Sequence, residues 1–202
     1  MTLQELKERQ GWSLNQKIDH SIGVIEQFYE RLNGQVFVSF SGGKDSTVLL
    51  WLARKIYPNI KAVFCNTGNE YPDIVRFVRS MKERGENVEI LYPQLKPKEV
   101  FAQYGFPLVS KDKAKQLWYC KNKPDSKMAK DALESDSRFH KLPHCYRYII
   151  NEPYQVSDVC CSILKKKPMH EFSLKYKIYP IIGTLADESK MREQAYIKRG
   201  GV

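Results

Sequence analysis

The chain has 202 residues, 42% of them apolar, with 33 Lys and Arg against 23 Asp and Glu for a net charge of +10. That length supports one well-cored domain and is short for two, so residues 1–202 are read as a single domain. No apolar run reaches the roughly 20 residues of a membrane span, and Met1 to Gln10 is polar and charged. A spanning helix, a membrane partner and a secretory signal are therefore not expected, and the cytoplasm is the expected compartment.

In chain order, residues 1–34 form an N-terminal helical segment. Ser13 to Leu32 reads as its helix, with Ser13 and Gln16 as a capping box and Gly34 beyond its end. Ile18, Ile22, Ile25, Tyr29 and Leu32 make one apolar stripe. Strand Val36–Phe40 then leads to a helix from Ser46 to Tyr57, and strand Lys61–Cys65 to a helix from Pro72 to Arg84. Val88–Leu91 is a third strand. Strand and helix alternating at this spacing predict an α/β fold, a doubly wound, mainly parallel sheet with helices on both faces.

From Pro97 the texture changes. Residues 97–156 read as a basic helical and irregular insertion, with short helices at Pro97–Tyr104, Lys111–Lys121 and Asp125–Glu134. Ser135–Pro153 reads as irregular. Ser157 or Asp158 caps a helix through Cys160, Cys161 and Leu164. A last strand, Ile178–Ile182, runs through Gly183 and Thr184 into a helix from Asp187 to Arg199. The pI near 9.3, with lysines clustered at 111–115, 121–130 and 165–167, favours anionic partners: nucleotides, sulfate or nucleic acid.

The segment that carries chemistry is Ser39-Phe40-Ser41-Gly42-Gly43-Lys44-Asp45-Ser46. Glycines between a strand and a helix let several N–H groups converge on one anion, and the helix that follows points its positive end there. Ser41 and Ser46 add hydroxyls and Lys44 a point charge. Neither the Walker spacing nor the three-glycine dinucleotide pattern is present. The neighbouring turn, Asn66-Thr67-Gly68, is expected at the same sheet edge, where polar groups meet the adenosine end of a nucleotide.

Ser41 to Ser46 resembles the PP-loop of ATP pyrophosphatases, which cleave ATP between the α- and β-phosphates. Asn66 to Pro72 resembles a segment of the phosphoadenosine phosphosulfate (PAPS) reductase family, with Asn66 where that family usually has Asp. Asp158 to Pro168 resembles the Cys-Cys signature of adenylyl-sulfate reductases, and Gly183 to Arg192 a fourth family segment. Sulfate adenylyltransferase small subunits and the ATP pyrophosphatases of DNA phosphorothioation are similar as well.

The resemblance implies a binding site for ATP, or for adenylyl sulfate or PAPS, built from Ser39, Phe40, Ser41, Gly42, Gly43, Lys44, Asp45, Ser46, Asn66, Thr67, Gly68 and Gly183. Lys44, Asp45 and Arg192 are its catalytic candidates. Mg²⁺ is reached by Asp45, and sulfate or another acceptor attacks the α-phosphorus. Two departures weigh against a reductase. No cysteine follows Cys161, so both a Cys-x-x-Cys partner and a C-terminal nucleophile are missing, and Leu185-Ala186 stands where reductases carry arginine. The sequence ends at Gly200-Gly201-Val202 where the resembled proteins continue, so a shortened C-terminus is expected. Three readings stay open for the thiols. Cys160 and Cys161 with Cys120 and Cys145 would ligate a [4Fe–4S] cluster; with His140 or His144 they would hold zinc; or they are inert. The rival functions are an adenylyl-sulfate or PAPS reductase, and a non-catalytic subunit that binds nucleotide, nucleic acid or a partner subunit.

Overall fold

A computed structural model describes residues 1–108, 110–137 and 140–199. Gly200, Gly201 and Val202, on which the expectation of a shortened C-terminus rests, lie outside the described residues, as do Arg138 and Phe139 in the stretch read as irregular. The chain opens with α1 (Leu3–Gln10), α2 (Leu14–Arg31), β1 (Val36–Phe40) and α3 (Lys44–Ile56). There follow β2 (Ala62–Cys65), α4 (Pro72–Glu83), β3 (Val88–Leu91), α5 (Pro97–Tyr104), α6 (Lys111–Asn122) and α7 (Lys127–Glu134). The last part holds α8 (His144–Arg147), a 3₁₀ turn (Tyr148–Asn151), a π turn (Ser162–Lys166), α9 (Lys167–Tyr176), β4 (Tyr179–Ile181), a 3₁₀ turn (Ala186–Glu188) and α10 (Lys190–Arg199). Contacts divide the chain into two compact units: 1–66, 70–91 and 169 onward, and 67–69 with 92–168.

The first unit is the doubly wound α/β fold that the alternation predicts. Its sheet has the order β3-β2-β1-β4 and every pairing is parallel. Val38 stands opposite Ala62, Ala62 opposite Val88, and Val36 opposite Tyr179. Side chains alternate across a strand, so β1 and β2 each supply two cores. Val36, Val38 and Phe40 of β1 pack with Ile25 of α2, Leu50 of α3 and Val78 of α4. Phe37 and Val63 face the other way and meet Phe172 of α9, the Phe37 and Phe172 rings edge to face at 5.6 Å. Phe37 is 1% exposed, and burying a side chain of that size contributes about 1.5–3 kcal/mol.

Three expectations change in detail. α3 starts at Lys44, ahead of Ser46, because Gly43 is its N-cap and the Gly43 carbonyl accepts both the Thr47 N–H (3.0 Å) and the Thr47 hydroxyl (2.9 Å). α1 carries no apolar stripe to announce it; Thr2 and Glu5 close a capping box that starts it. The last helix is broken at Ser189, whose extended backbone ends the 3₁₀ turn and whose hydroxyl accepts the Arg192 N–H at 3.3 Å.

The second unit packs Ala114, Leu117, Cys120, Ala129, Ala132, Leu142, Ile149 and Val156 into its own core. The stretch read as irregular holds α8 and a 3₁₀ turn, which side-chain cations secure. The Lys121 ammonium donates to the carbonyls of Ile149 (3.0 Å), Ile150 (3.1 Å) and Glu152 (2.6 Å). Arg147 donates to Leu133 (2.7 Å) and Leu142 (3.3 Å). Gly105 has φ +93° and lies so close to Gln155 that a Cβ would meet its carbonyl at 2.6 Å.

Candidate functional site

The sheet switches direction at β1: the chain leaves it through α3 for β2 on one side, and β4 lies on the other. In an open parallel sheet ligands bind beyond the carboxyl ends of the strands at such a point. The Ser41–Gly43 loop after β1 occupies it. Gly183, in the turn after β4, comes alongside, where a Cβ would lie 3.4 Å from the Asp45 carbonyl oxygen and 3.5 Å from Leu49.

The loop owes its shape to its smallest residues. Gly42 adopts φ +73°, and a Cβ there would meet Ile74 Cγ2 at 2.6 Å and Val78 Cγ2 at 3.3 Å. Only glycine takes this conformation against this wall of α4 without strain. The Ser46 hydroxyl, 6% exposed, donates to the Gly43 carbonyl at 3.0 Å and accepts the Ser41 N–H at 3.2 Å. It lies 2.9 Å from the Ser41 hydroxyl, which accepts the Gly43 N–H at 3.3 Å. The two serines thus brace the loop, and the Gly43 amide is engaged inside it.

No side chain caps α3. Among the described residues the amides of Gly42, Lys44, Asp45 and Ser46 donate to no protein acceptor. First-turn amides and the helix's positive end make an anion site. Lys44 is exposed and Asp45 half-buried, and neither side chain has a hydrogen-bond or ion-pair partner among the described residues. One free carboxylate beside an anion site is a donor of the kind that Mg²⁺ takes, one or two carboxylates completed by phosphate oxygens.

The structure places the other expected residues unevenly. Ser39 is half-buried on β1. Phe40 is 3% exposed, packed in the core with Phe77 at a ring separation of 6.3 Å, so its ring is not open for an adenine to stack on. Asn66 is buried at the end of β2, its N–H donating to the Leu91 carbonyl at 2.8 Å. Thr67 and Gly68 belong to the second unit; the Thr67 hydroxyl accepts the Asn69 N–H at 3.2 Å, and Gly68 has φ +80°. Arg192 pairs with Glu188 one turn earlier. It also lines a pocket of about 340 Å³ with Val24, Phe28, Thr184, Tyr196 and Arg199, to which the sequence reading assigned no role.

The four cysteines read as cluster ligands are not gathered. Cys120 is buried in the core of the second unit, its thiol directed at the Ala129 carbonyl at 3.9 Å, and burial raises its pKa. Cys145 is exposed on α8, Cys160 is half-buried and Cys161 is exposed. Among the described residues no three His, Cys, Asp or Glu side chains converge to hold a metal ion, which also leaves the zinc reading with His140 or His144 without a site. This donor set does not fit a four-thiolate cluster. No described helix is long and apolar enough to cross a membrane.

Residues 35–134 match the family model of the phosphoadenosine phosphosulfate reductase domain. The chain is 26% identical over 184 residues to an uncharacterized protein of Methanocaldococcus jannaschii, a match covering 89% of this chain and 33% of that protein. A second uncharacterized protein of the same organism is 33% identical over 121 residues, covering 58% of this chain and 24% of the relative. Adenosine 5′-phosphosulfate reductase of Pseudomonas aeruginosa is 30% identical over 71 residues, 35% of this chain and 26% of the reductase. The matches thus take in 24% to 33% of the length of these curated relatives.

Proposed function

We propose that this chain, which carries a phosphoadenosine phosphosulfate reductase-family domain at residues 35–134, binds ATP at the Ser41–Ser46 loop and cleaves its α–β bond to adenylylate an acceptor in sulfur metabolism or sulfur transfer. The observation that carries the reading is the loop itself: four unengaged amides at an uncapped helix start, held by Gly42 in a left-handed conformation. Such a site suits the β- and γ-phosphates of ATP.

In this mechanism the amides of Gly42, Lys44, Asp45 and Ser46 grip the departing pyrophosphate, and Lys44 offsets its charge. Asp45 would hold Mg²⁺, which supplies charge neutralisation across the phosphate oxygens. An oxygen of sulfate or another acceptor attacks the α-phosphorus, the α–β bridging bond breaks, and pyrophosphate leaves with its electron pair. Transfers of this type depend on positioning and electrostatic stabilisation, so no further acid–base residue is needed. Arg192, paired with Glu188, joins the site only by exchanging that partner for phosphate.

Incubation with Mg²⁺ and α-labelled ATP, with and without sulfate, tests the reading. AMP or an adenylylated acceptor with pyrophosphate is the expected result, and it is lost in a Ser41→Ala/Asp45→Ala variant. ADP with phosphate, or unchanged turnover in that variant, refutes it. The likeness to adenosine 5′-phosphosulfate reductase favours one alternative, a thiol-dependent reductase of adenylyl sulfate, which sulfite release would reveal.

A further inference from the structure

The chain's positive charge is concentrated. Residues 67–69 and 92–168 carry fifteen Lys and Arg against eight Asp and Glu, which is +7 of the total +10. Three of those cations are internal fasteners: Lys113, Lys121 and Arg147 each donate to backbone carbonyls. The exposed remainder is not arranged as a solvated helix surface ordinarily is. Lys111 sits in the first turn of α6, against the positive end of its dipole, where a cation is disfavoured, and Lys115 stands one turn on. Among the described residues neither they nor Lys123, Lys127 and Lys130 have a carboxylate within ion-pair distance. Lys111, Lys115, Trp118 and Asn122 follow steps of four, three and four, one stripe along the helix. Trp118 is half-buried, braced edge-on by Tyr119 at 5.1 Å, with the Lys123 ammonium 5.7 Å from its ring centre.

We infer that this stripe of α6 binds single-stranded nucleic acid, its lysines meeting phosphates and Trp118 stacking a base. A flat aromatic ring with Lys115 one helical turn before it and Lys123 at the helix's C-cap beyond it is the combination that single strands use: electrostatic attachment along the backbone and stacking that tolerates any base. An acidic protein would engage the lysines and have no use for the ring. The site lies apart from the ATP loop in sequence and does not depend on the reaction proposed there.

The test uses the full chain and a fluorescein-labelled oligothymidylate of about 15 nucleotides, titrated by anisotropy between about 50 and 300 mM salt. Four or five phosphate contacts predict a slope of log affinity against log salt near −3, at about 0.7 per phosphate. Lys111→Gln/Lys115→Gln/Lys123→Gln reduces that slope by about 2. Trp118→Ala weakens binding by about fivefold or more without changing the slope, and Trp118→Phe restores most of it. In a Trp12→Phe/Trp51→Phe background the remaining indole is quenched on binding. A cooperative urea-unfolding transition and a far-ultraviolet dichroism spectrum matching the parent in each variant show that the fold is intact. A parental slope in the triple variant, or undiminished binding by Trp118→Ala, overturns the inference. Polyglutamate binding as tightly as the oligonucleotide, or duplex DNA binding more tightly than the single strand, overturns it equally.

Discussion

Replacing Gly42 with alanine tests the loop at its most constrained point. The left-handed conformation costs an L-residue about 1–2 kcal/mol. The added Cβ would also stand 2.6 Å from Ile74 Cγ2, a separation that forces α4 or the loop to move, and overpacking of this kind costs about 1–3 kcal/mol. The two together give about 2–5 kcal/mol, or roughly 4–20 °C in melting temperature for a chain of this size. The loop can escape the strain only by turning to negative φ, which swings the Gly42 amide away from those of α3. ATP affinity should then fall at least about tenfold, the equivalent of about 1.4 kcal/mol.

The double variant Gly42→Ala/Ile74→Ala separates the two causes. Truncating Ile74 removes the overlap and leaves the conformational cost. Its destabilisation should be smaller than the sum of the single changes by about 1 kcal/mol or more, the sign of residues in contact. Part of the ATP affinity should return with it. Urea unfolding and calorimetric titration with ATP read both quantities. A Gly42→Ala protein that melts within about 1 °C of the parent and binds ATP within about twofold would show that the loop does not depend on this glycine.

Other changes probe the rest of the molecule. Ser46→Ala leaves the Ser41 N–H without its partner, takes one of three donors from the Gly43 carbonyl, and should cost about 1–3 kcal/mol in urea unfolding. Lys121→Met takes a donor from three carbonyls, of which, among the described residues, only that of Ile149 keeps another, the Glu152 N–H, and should destabilise the chain while leaving ATP affinity within about twofold; no change in urea unfolding would refute the fastener role. Burial, then the neighbouring Arg9, lower the pKa of His20, whose ring nitrogen lies 3.3 Å from the Arg9 guanidinium. The unfolded chain therefore takes up this proton first, so stability should fall as pH drops through 6.5 and be insensitive to His20 above it; His20→Gln should flatten that fall. A thiol reagent at pH 8 should label Cys145 and Cys161 quickly, Cys160 more slowly, and Cys65 and Cys120 only on unfolding.

The parallel sheet was legible because its signals are local. Val36 to Phe40 and Ala62 to Cys65 are short apolar runs buried on both faces, each ending at a polar turn that starts a helix. The start of α3 was not legible to a stripe of apolar residues, since Lys44 and Asp45 are polar; Gly43 marks it, through a carbonyl that receives Thr47. The second unit was harder for a different reason. Lys121 reaches the carbonyls of Ile149, Ile150 and Glu152 across about thirty positions of sequence, and no periodicity announces a side chain that fastens backbone so far away. The cysteines kept three readings open, because a thiol serves equally as a ligand or as a small apolar filler; Cys120 takes the second part, packed between α6 and α7.

The hydroxyl protons of the loop decide how it can take an anion. Each serine has one proton. The Ser46 proton goes to the Gly43 carbonyl, and its oxygen receives the Ser41 N–H. The contact of 2.9 Å between the hydroxyls therefore takes the Ser41 proton as its donor. In this state neither serine has a proton left for a phosphate, and the amides alone face it. Ser41 is exposed and can rotate its proton outward; Ser46 is buried, with its proton turned inward onto the Gly43 carbonyl that Thr47 also reaches. The two serines of the motif thus divide the work: Ser46 fixes the backbone that aims the amides, and Ser41 is the hydroxyl free to turn towards the ligand. Removing Ser41 should weaken nucleotide binding with little loss of stability, and removing Ser46 should lower both.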